Sequence, residues 1–331
     1  MKVKVNSIGP QFGESLVTGG AGFIGSHLVD RLIQEGHQVK VVDNLSSGNL
    51  SNLDNSNKNN IQFFKKDLKD FNEKDDLMRD VETVFHMAAN PEVRIGFQNP
   101  EISFNENILN TFKLLETIRK YDIQNFVFAS SSTVYGEPKV IPTSENYAPL
   151  LPISPYGASK LACEALISSY CYNYGINGTI CRFANIVGQR SNHGVIFDFI
   201  KKLQNNNQEL EVLGDGTQSK SYMHIQDCID GFIFCASNKK ERVKIFNMGN
   251  IDVTDVLSIA SIVMKAMNLE NVKIKTTGGI DGGRGWKGDV KQMHLDISKL
   301  KGLGWHPEIS SNNSVKIAAS EILSDINSTT N

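Results

Sequence analysis

A glycine-rich turn between an apolar run and an amphipathic run constrains the fold of this chain more than any other feature. Residues 15–18 have the composition of a buried strand, residues 23–35 have helical spacing, and TGGAGFIG at 18–25 joins them. Glycines there permit a tight turn, and the following helix presents free N–H groups at its first residues. The sequence therefore predicts a turn that binds the pyrophosphate of a dinucleotide. The glycines that satisfy the spacing G-x-x-G-x-x-G are Gly19, Gly22 and Gly25.

An acidic residue follows the second predicted strand, as a dinucleotide site requires. Asp43 comes eighteen residues after Gly25, and its carboxylate can accept hydrogen bonds from the adenosine ribose hydroxyls. The same charge would repel a 2′-phosphate, so the sequence favours NAD over NADP. Asp67 and Leu68 follow the third predicted strand, where a side chain can reach the adenine.

Short apolar runs alternate with amphipathic runs through the first half of the chain. This alternation implies right-handed crossovers and a parallel, doubly wound sheet, so we expect a Rossmann-type α/β fold. The further predicted strands are residues 39–42, 61–64, 83–86, 126–129 and 179–183, and the further predicted helices are residues 73–79, 107–121 and 156–174. The second of these helices is expected to bury a stripe formed by Ile108, Phe112, Leu115 and Ile118. Residues 44–60, rich in Asn and Ser, are expected to form a mobile surface loop.

The pattern loosens after residue 188, and no linker separates two independent domains. We expect an NAD-binding domain formed mainly by residues 14–188. A smaller lobe formed mainly by residues 189–331 is expected to be interleaved with it and to bind the substrate. The predicted helices of this half are residues 195–204, 227–237, 255–267 and 314–323, and the predicted strands are residues 211–213 and 244–247.

Charge and cysteine usage limit the possible partners. The chain has 34 basic and 36 acidic residues and a net charge of −2, so no basic excess indicates nucleic acid or an anionic membrane. No apolar run approaches the roughly 20 residues of a membrane span, and residues 1–14 lack the apolar core of a signal peptide. Five cysteines without a C-x-x-C pair and seven scattered histidines favour reduced thiols and no metal site. We therefore expect a cytoplasmic protein.

Two groups of residues carry the predicted chemistry. Tyr156 and Lys160 are four residues apart and share one face of a helix, so the lysine ammonium favours the tyrosine phenolate. A phenol has a pKa of roughly 10 and needs such help to act as a base. Ser131 lies in a serine run directly after an apolar strand, at the edge where open α/β sheets place their sites. Its hydroxyl can hydrogen-bond a reacting alcohol or ketone.

These motifs together resemble those of the extended short-chain dehydrogenases/reductases, and most closely the UDP-glucose 4-epimerases (UDP-galactose 4-epimerases). The resemblance runs from residue 18 to residue 307, nearly the whole chain. The matching segments are TGGAGFIGSHL (18–28), VVDNLSSG (41–48), FHMAANPEV (85–93), NILNTFKLLE (107–116), SSSTVYGE (130–137), SPYGASK (154–160), RFANIVG (182–188), GDGTQSKSYMHIQD (214–227) and GDV (288–290).

The resemblance implies a role for each matching residue. Tyr156 is expected to be the base, Lys160 to hold the nicotinamide ribose, and Ser131 to be the catalytic hydroxyl. The other residues expected on the cofactor side are Phe23, Ile24, Asn44, Ser47, Asp67, Leu68, Ala88 and Asn107. Those expected to bind a UDP-sugar substrate are Ser131, Ser132, Asn185, Val195, Leu213, Lys220, Arg284, Asp289 and Met293. The resemblance also implies a homodimer that pairs the helices at 107–121 and 156–174.

The chain departs from the family pattern where the substrate diphosphate is expected. Lys220 stands where the family usually has arginine, which keeps the charge but loses bidentate phosphate geometry. Near Asp289 the family usually reads Arg-x-Gly-Asp, whereas this chain reads RGWKGD at 284–289, and Arg284 is expected to reach a phosphate. Met293, slimmer than the tyrosine of some relatives, predicts a sugar pocket of intermediate width.

The residues after Ser131 distinguish between the chemistries that this family hosts. Dehydratases of the family typically place an acid there, whereas this chain has Ser132 and Thr133, which cannot serve as that acid. The resemblance then implies epimerisation of a UDP-hexose at C4: Tyr156 removes the hydroxyl proton, hydride passes to NAD⁺, and the 4-keto sugar turns over and is reduced again. Epimerisation of UDP-GlcNAc or a UDP-uronic acid stays open, as does a non-catalytic NAD sensor.

Overall fold

A parallel sheet is the centre of the protein, whose computed structural model describes residues 12–54, 58–71, 76–238 and 241–329. The strands are β1 (Glu14–Thr18), β2 (Val39–Asp43), β3 (Ile61–Lys65), β4 (Val81–His86), β5 (Asn125–Ser131), β6 (Asn177–Phe183), β7 (Asn185–Val187), β8 (Glu209–Val212), β9 (Ser219–Lys220), β10 (Tyr222–His224), β11 (Val243–Met248), β12 (Thr254–Asp255), β13 (Lys273–Thr276) and β14 (Gln292–Met293). Seven of them pair in the order β11-β6-β5-β4-β1-β2-β3, with every neighbouring pair parallel.

Helices connect these strands and cover both faces of the sheet. They are α1 (Phe23–Gln34), α2 (Val93–Gln98), α3 (Pro100–Ser103), α4 (Asn110–Lys120), α5 (Pro155–Tyr174), α6 (Val195–Asn205), α7 (Ile225–Ser237), α8 (Val256–Ala266), α9 (Ser298–Gly302) and α10 (Ser311–Thr329). A π-helical turn, Phe104–Leu109, leads into α4, and short 3₁₀ segments include Leu50–Leu53, Leu68–Asp70 and Ser132–Tyr135. None of the helices in the described residues is long and apolar enough to cross a membrane.

The sheet is buried on both faces, as its apolar strands require. All five residues of β2 are buried, because a parallel strand between two helical layers has no solvent-facing side. Helices α1 and α7 pack one face of the sheet and contribute Leu28 and Phe232 to its core. Helices α4 and α5 pack the other face and contribute Leu115 and Ile167. Burial of these stripes holds the two layers against the sheet.

A second apolar core lies beyond the edge of the large sheet. Helices α6, α8 and α10 meet around Phe199, Ile259 and Val315 and pack against β8. Short strands pair here as β8 with β13, β7 with β10, and β9 between β12 and β14. The chain then returns to the large sheet, where β11 pairs with β6 in a parallel register. The assignment of residues 14–188 to the cofactor and residues 189–331 to the substrate stays a prediction.

The predicted fold class is confirmed, and two local predictions need correction. Of the helix predicted at residues 73–79, residues 73–75 lie outside the described residues and Asp76–Met78 forms one 3₁₀ turn. Phe112 does not join the buried stripe of α4: its exposed fraction is 41%, whereas Leu115 and Ile118 are fully buried. All three residues lie within α4, where 3.6 residues per turn put Phe112 about 120° from Ile118 around the helix axis and so outside the buried face. The predicted loop at 44–60 contains the ordered turn Leu50–Leu53, and residues 55–57 lie outside the described residues.

A buried ion pair joins α5 to the sheet. Arg182 on β6 donates to both carboxylate oxygens of Glu164 on α5, at 3.0 and 2.7 Å, and both side chains are at most 5% exposed. Ser130 on β5 donates to Glu164 at 2.5 Å. Arg182 also donates to the Tyr135 hydroxyl at 2.8 Å, which in turn donates to Asn247 on β11 at 2.7 Å. The network fixes the register of α5 against three neighbouring strands.

Removal of one partner of this pair should destabilise the protein strongly. Arg182→Met leaves the Glu164 carboxylate buried without its counter-charge, and we expect the free energy of unfolding to fall by about 3–5 kcal/mol. Urea denaturation measures this change. The control is Arg79→Met, which removes one partner of an exposed ion pair with Asp76 and should cost at most about 1 kcal/mol. Equal losses for the two variants would show that the buried network does not fix α5.

Candidate active site

The glycine turn is so tightly packed that side chains would not fit in it. Gly19 has a φ of +67°, and a Cβ on it would lie 2.7 Å from the backbone nitrogen of Ala88. A Cβ on Gly25 would lie 2.1 Å from the carbonyl oxygen of Gly19. No side chain hydrogen-bonds the first turn of α1 among the described residues, so the N–H groups near Phe23 and Ile24 can face a ligand. This cradle fits the pyrophosphate of NAD.

Acidic and amide side chains line the same edge of the sheet, at the ends of β2 and β3. The Asp43 carboxylate accepts hydrogen bonds from the N–H groups of Ala21 at 3.0 Å and Leu45 at 2.8 Å, which aim it toward the glycine turn. Asn44 donates to Asp67 at 3.0 Å and so links the two strand ends. Burial raises the pKa of Asp67, but hydrogen bonds from the Lys69 N–H and from Asn44 outweigh it and lower the pKa overall. Ionised carboxylates at both strand ends suit the hydroxyl and amine donors of adenosine.

The remaining predicted cofactor residues divide between surface and interior. Ser47 is exposed, whereas Leu68 is buried in the core under β3. Ala88 follows β4, and its N–H donates to Thr18 at 3.3 Å, so it lies against the glycine turn. Asn107 lies in the π turn, where its amide donates to Ser159 on α5 at 2.9 Å. The π turn thus aims Asn107 at the helix that carries Tyr156.

The Ser131 hydroxyl lies close enough to the phenol of Tyr156 to lower its pKa. Burial raises the pKa of Tyr156 to about 12, and the hydrogen bond with Ser131 opposes that rise. The Ser131 hydroxyl also accepts from the N–H and the hydroxyl of Thr133, at 3.2 and 2.9 Å, which fixes its rotamer. Ser132 is buried in the 3₁₀ turn that follows. Ser131, and not its neighbour, therefore faces the phenol.

Lys160 is a buried ammonium one turn along α5. Its Nζ donates to the carbonyl oxygen of Ala129 at 2.8 Å and lies 4.7 Å from the ring centre of Phe128 and 5.8 Å from that of Tyr156. Burial lowers the pKa of Lys160 to about 8. One of its three protons is used by Ala129, so the others are available to hydroxyl groups of a ligand and to the phenolate side of Tyr156.

His86 is a neutral imidazole beneath this ammonium. It is 1% exposed and hydrogen-bonded to the hydroxyls of Thr18 at 2.7 Å and Thr111 at 2.9 Å. Burial, and then the charge of Lys160, lower the pKa of His86 to about 3. His86 therefore adds no second positive charge beside Lys160.

The short strands of the second core bring the predicted substrate residues together. Lys220 on β9 is paired in register with Met293 on β14, and its Nζ donates to Asp289 at 2.7 Å. Asn185 on β7 donates to the carbonyl oxygen of Ser221, beside Lys220, at 3.3 Å. Met293 is 7% exposed and belongs to a buried cluster whose members are Val134, Tyr135, Val290, Met293 and Leu295.

Three other predicted substrate residues occupy the rim of this region. Val195 is the first residue of α6, and Leu213 follows β8 and accepts from the amide of Gln218 at 2.8 Å through its carbonyl. Arg284 is held by Glu137, to which its Nε donates at 3.2 Å, and it does not contact the Lys220–Asp289 pair. The expectation that Arg284 reaches a phosphate is therefore not supported by its contacts.

Two side chains that sequence reasoning missed lie at this rim. Arg94 on α2 and Trp286 in the segment before β14 are in contact, with the guanidinium carbon 5.0 Å from the indole ring centre. Arg94 also donates to Asp198 on α6 at 2.9 Å. Trp286 stands two residues before Gly288, where the family's Arg-x-Gly-Asp has its arginine, whereas Arg94 stands in no spaced motif. The sequence therefore offered no signal for a contact between the two segments.

Comparison with known proteins agrees with this geometry. Residues 15–249 match the NAD dependent epimerase/dehydratase family. The chain belongs to this family. The resemblance to extended short-chain dehydrogenases/reductases is thus confirmed, as are the predictions of an NAD-dependent enzyme and of NAD as its cofactor.

Solved structures similar to this family member differ in their sugars. A UDP-galactose 4-epimerase is 40% identical, with 95% of this chain and 99% of that chain covered and a TM-score of 0.83. A UDP-N-acetylglucosamine 4-epimerase from Methanobrevibacter ruminantium is 29% identical, with 95% and 99% covered and a TM-score of 0.83. A UDP-glucuronic acid 4-epimerase from Bacillus cereus, solved with UDP-glucuronic acid and NAD, is 30% identical, with 94% and 99% covered and a TM-score of 0.82.

The neutral state of His86 should make stability depend on pH. Between pH 6.5 and about 3 the unfolded imidazole binds a proton that the folded one excludes, so stability falls as the pH falls through this window. We expect His86→Gln to reduce this slope by up to about 1.4 kcal/mol per pH unit. Urea denaturation from about pH 7.5 to pH 5 measures it. His306→Gln, which removes an exposed imidazole, is the control, and an identical slope for both variants would contradict the account.

Proposed function

We propose that this enzyme interconverts UDP-galactose and UDP-glucose by epimerisation at C4. The observation that carries the proposal is the grouping of Tyr156 and Ser131 with the buried ammonium of Lys160, whose Nζ lies 5.8 Å from the Tyr156 ring centre. No carboxylate stands at the two positions after Ser131. A phenol and a hydroxyl suffice to remove and return one proton at one carbon, whereas elimination of water needs a further acid or base. The similarity to named 4-epimerases supports the same chemistry.

The residues of this chain divide the work of the reaction. NAD, when bound, supplies the hydride acceptor and later the hydride. The Tyr156 phenolate removes the proton of the C4 hydroxyl, and the nearby Lys160 ammonium stabilises that phenolate. Ser131 donates a hydrogen bond to the oxygen of the 4-keto sugar. After the sugar turns its other face to the nicotinamide, Tyr156 returns the proton, so the enzyme regains its starting state.

Other nucleotide sugars are alternative substrates for the same chemistry. Relatives of comparable similarity are named for N-acetylglucosamine and for glucuronic acid. Met293 is a flexible side chain close to the turn that follows Ser131, and we propose that it sets a pocket of intermediate width. A non-catalytic NAD sensor is the weaker alternative, because such a protein has no use for the paired Tyr156 and Lys160. Turnover on a panel of these UDP-sugars distinguishes the candidates.

We also propose a cytoplasmic homodimer. All five cysteines, Cys163, Cys171, Cys181, Cys228 and Cys235, are buried free thiols, which suits a reducing compartment. Phe112 on α4 and Tyr172 on α5 are 41% and 73% exposed, so each helix offers an aromatic side chain to a second copy. Sedimentation equilibrium of the purified protein tests the dimer.

Purified protein should interconvert UDP-galactose and UDP-glucose without added NAD. The cycle returns the hydride to the same carbon, and the tight glycine cradle suits a cofactor that stays bound. Nuclear magnetic resonance of the sugar anomeric protons measures the interconversion, and denaturation should release NAD(H). UDP-GlcNAc and UDP-glucuronic acid serve as comparison substrates. Consumption of NAD⁺ in equal amount to the sugar would refute a redox-neutral cycle.

Substitutions at the catalytic residues should separate chemistry from cofactor binding. Tyr156→Phe removes the proton-transfer group and little volume, so turnover should fall by about 10²–10⁴-fold or more while NAD(H) is retained. Lys160→Met should lower both the turnover rate and the affinity for NAD.

Ser131→Ala should lower kcat more than Ser132→Ala, because Ser131 faces the phenol and Ser132 is buried in the following turn. A greater loss for Ser132→Ala would place the catalytic hydroxyl one residue later.

A further inference from the structure

The indole of Trp286 contacts two cations that come from different parts of the fold. The guanidinium carbon of Arg94, on α2, lies 5.0 Å from the ring centre, and Nζ of Lys220, on β9, lies 5.6 Å from it. Cations favour the face of an aromatic ring, so the indole brings an arginine of α2 and a lysine of β9 to one side chain.

Trp286 also has a buried donor without an acceptor. Its Nε1–H is inaccessible to solvent and makes no hydrogen bond within the part of the chain that the structure describes. Buried N–H groups in native proteins are nearly always paired, so an orphaned one indicates a ligand acceptor. An indole N–H can only donate, which restricts that ligand to one that presents lone pairs.

Each cation is oriented by a carboxylate on another element. Arg94 donates to Asp198 on α6 at 2.9 Å, and Lys220 donates to Asp289 at 2.7 Å. The guanidinium has five N–H donors and the ammonium three, so one carboxylate leaves each of them further donors. The pairs fix where the cations lie without using all their hydrogen-bonding capacity.

The cluster adjoins the residues proposed to carry the chemistry. Helix α2, which carries Arg94, packs closely against the start of α5. A Cβ added to Gly96 of α2 would lie only 3.9 Å from the backbone nitrogen of Tyr156. On the other side, Lys220 precedes Ser221, whose carbonyl accepts from Asn185. Arg94 thus belongs to a helix that lies beside Tyr156, and through Asp198 it is joined to α6, which begins at Val195.

We propose that Arg94 and Trp286 join Lys220 in binding the diphosphate of the nucleotide-sugar substrate, an inference that rests on the proposed function. The role of Lys220 is implied by the family resemblance, whereas those of Arg94 and Trp286 follow from their contacts in this chain. Arg94 supplies the planar, two-pronged contact to phosphate oxygens that Lys220 cannot make. The Nε1–H of Trp286 donates to the same diphosphate, and its ring holds Arg94 in place. All three guanidinium nitrogens of Arg284 already donate, two to Glu137 and one to the carbonyl oxygen of Asp281, so we assign Arg284 no part in this contact.

Binding of UDP and of uridine to the NAD-loaded enzyme separates the phosphate contacts from those of the base and ribose. By isothermal titration calorimetry, Arg94→Gln should weaken UDP binding about tenfold or more and leave uridine binding unchanged. Trp286→Phe keeps a ring for Arg94 but removes the N–H, and should weaken UDP binding by about three- to tenfold. The control Lys287→Gln removes a neighbouring cation that lies over Phe97, and should change neither affinity by more than about twofold.

Three outcomes would overturn the assignment. The first is an unchanged UDP affinity in Arg94→Gln. The second is an equal loss of uridine and UDP affinity in that variant. The third is a loss confined to UDP-glucuronic acid, which would assign Arg94 to the carboxylate of the sugar. The measurement needs no turnover. If UDP binding depends on Arg94 but no UDP-hexose is epimerised, the assignment stands for a UDP ligand and the proposed function fails.

Discussion

The buried ion pair between Glu164 and Arg182 is the interaction on which the rest of the site depends. It joins α5 to β6, and through Ser130 and Tyr135 it extends to β5 and β11. A buried charge pair is a poor source of net stability but leaves few alternative arrangements once its hydrogen bonds are complete. The register of α5 is thereby fixed against the strand that ends at Ser131. The Tyr156–Ser131 contact follows from that register.

Burial then sets the charges around Tyr156. Lys160 is the only ammonium in contact with its ring among the described residues, and the neutral His86 below it adds no second charge. Burial lowers the pKa of Lys160 and raises that of Tyr156, so each group alone favours its neutral form. An ammonium beside a phenolate is a neutral pair, so the charged form of each group stabilises the charged form of the other. A bound, positively charged nicotinamide also favours the phenolate of Tyr156.

The fold and the catalytic centre could be predicted from the sequence because both rest on local patterns. Apolar runs, the glycine turn and the four-residue spacing of Tyr156 and Lys160 each act within one or two elements. The substrate rim could not be predicted as well, because it is built by two-residue strands such as β9 and β14, which are too short to show a period. Phe112 was misplaced because it lies at the margin of the apolar stripe of α4, where spacing alone does not decide whether a side chain is buried.

Near Asp289, a positive charge that the sequence places within the segment is supplied in the structure by a residue from another part of the chain. The sequence suggests that Arg284, the arginine of this segment, supplies its positive charge to the substrate. In the structure Arg284 is bound by Glu137, and Asp289 is bound by Lys220. Trp286 occupies the nearer position and has no charge of its own. Its ring packs against Arg94 of α2, a helix that also contacts α5, which carries Tyr156. The positive charge beside Trp286 therefore comes from a distant helix as well as from Lys220, and the indole determines where that charge lies.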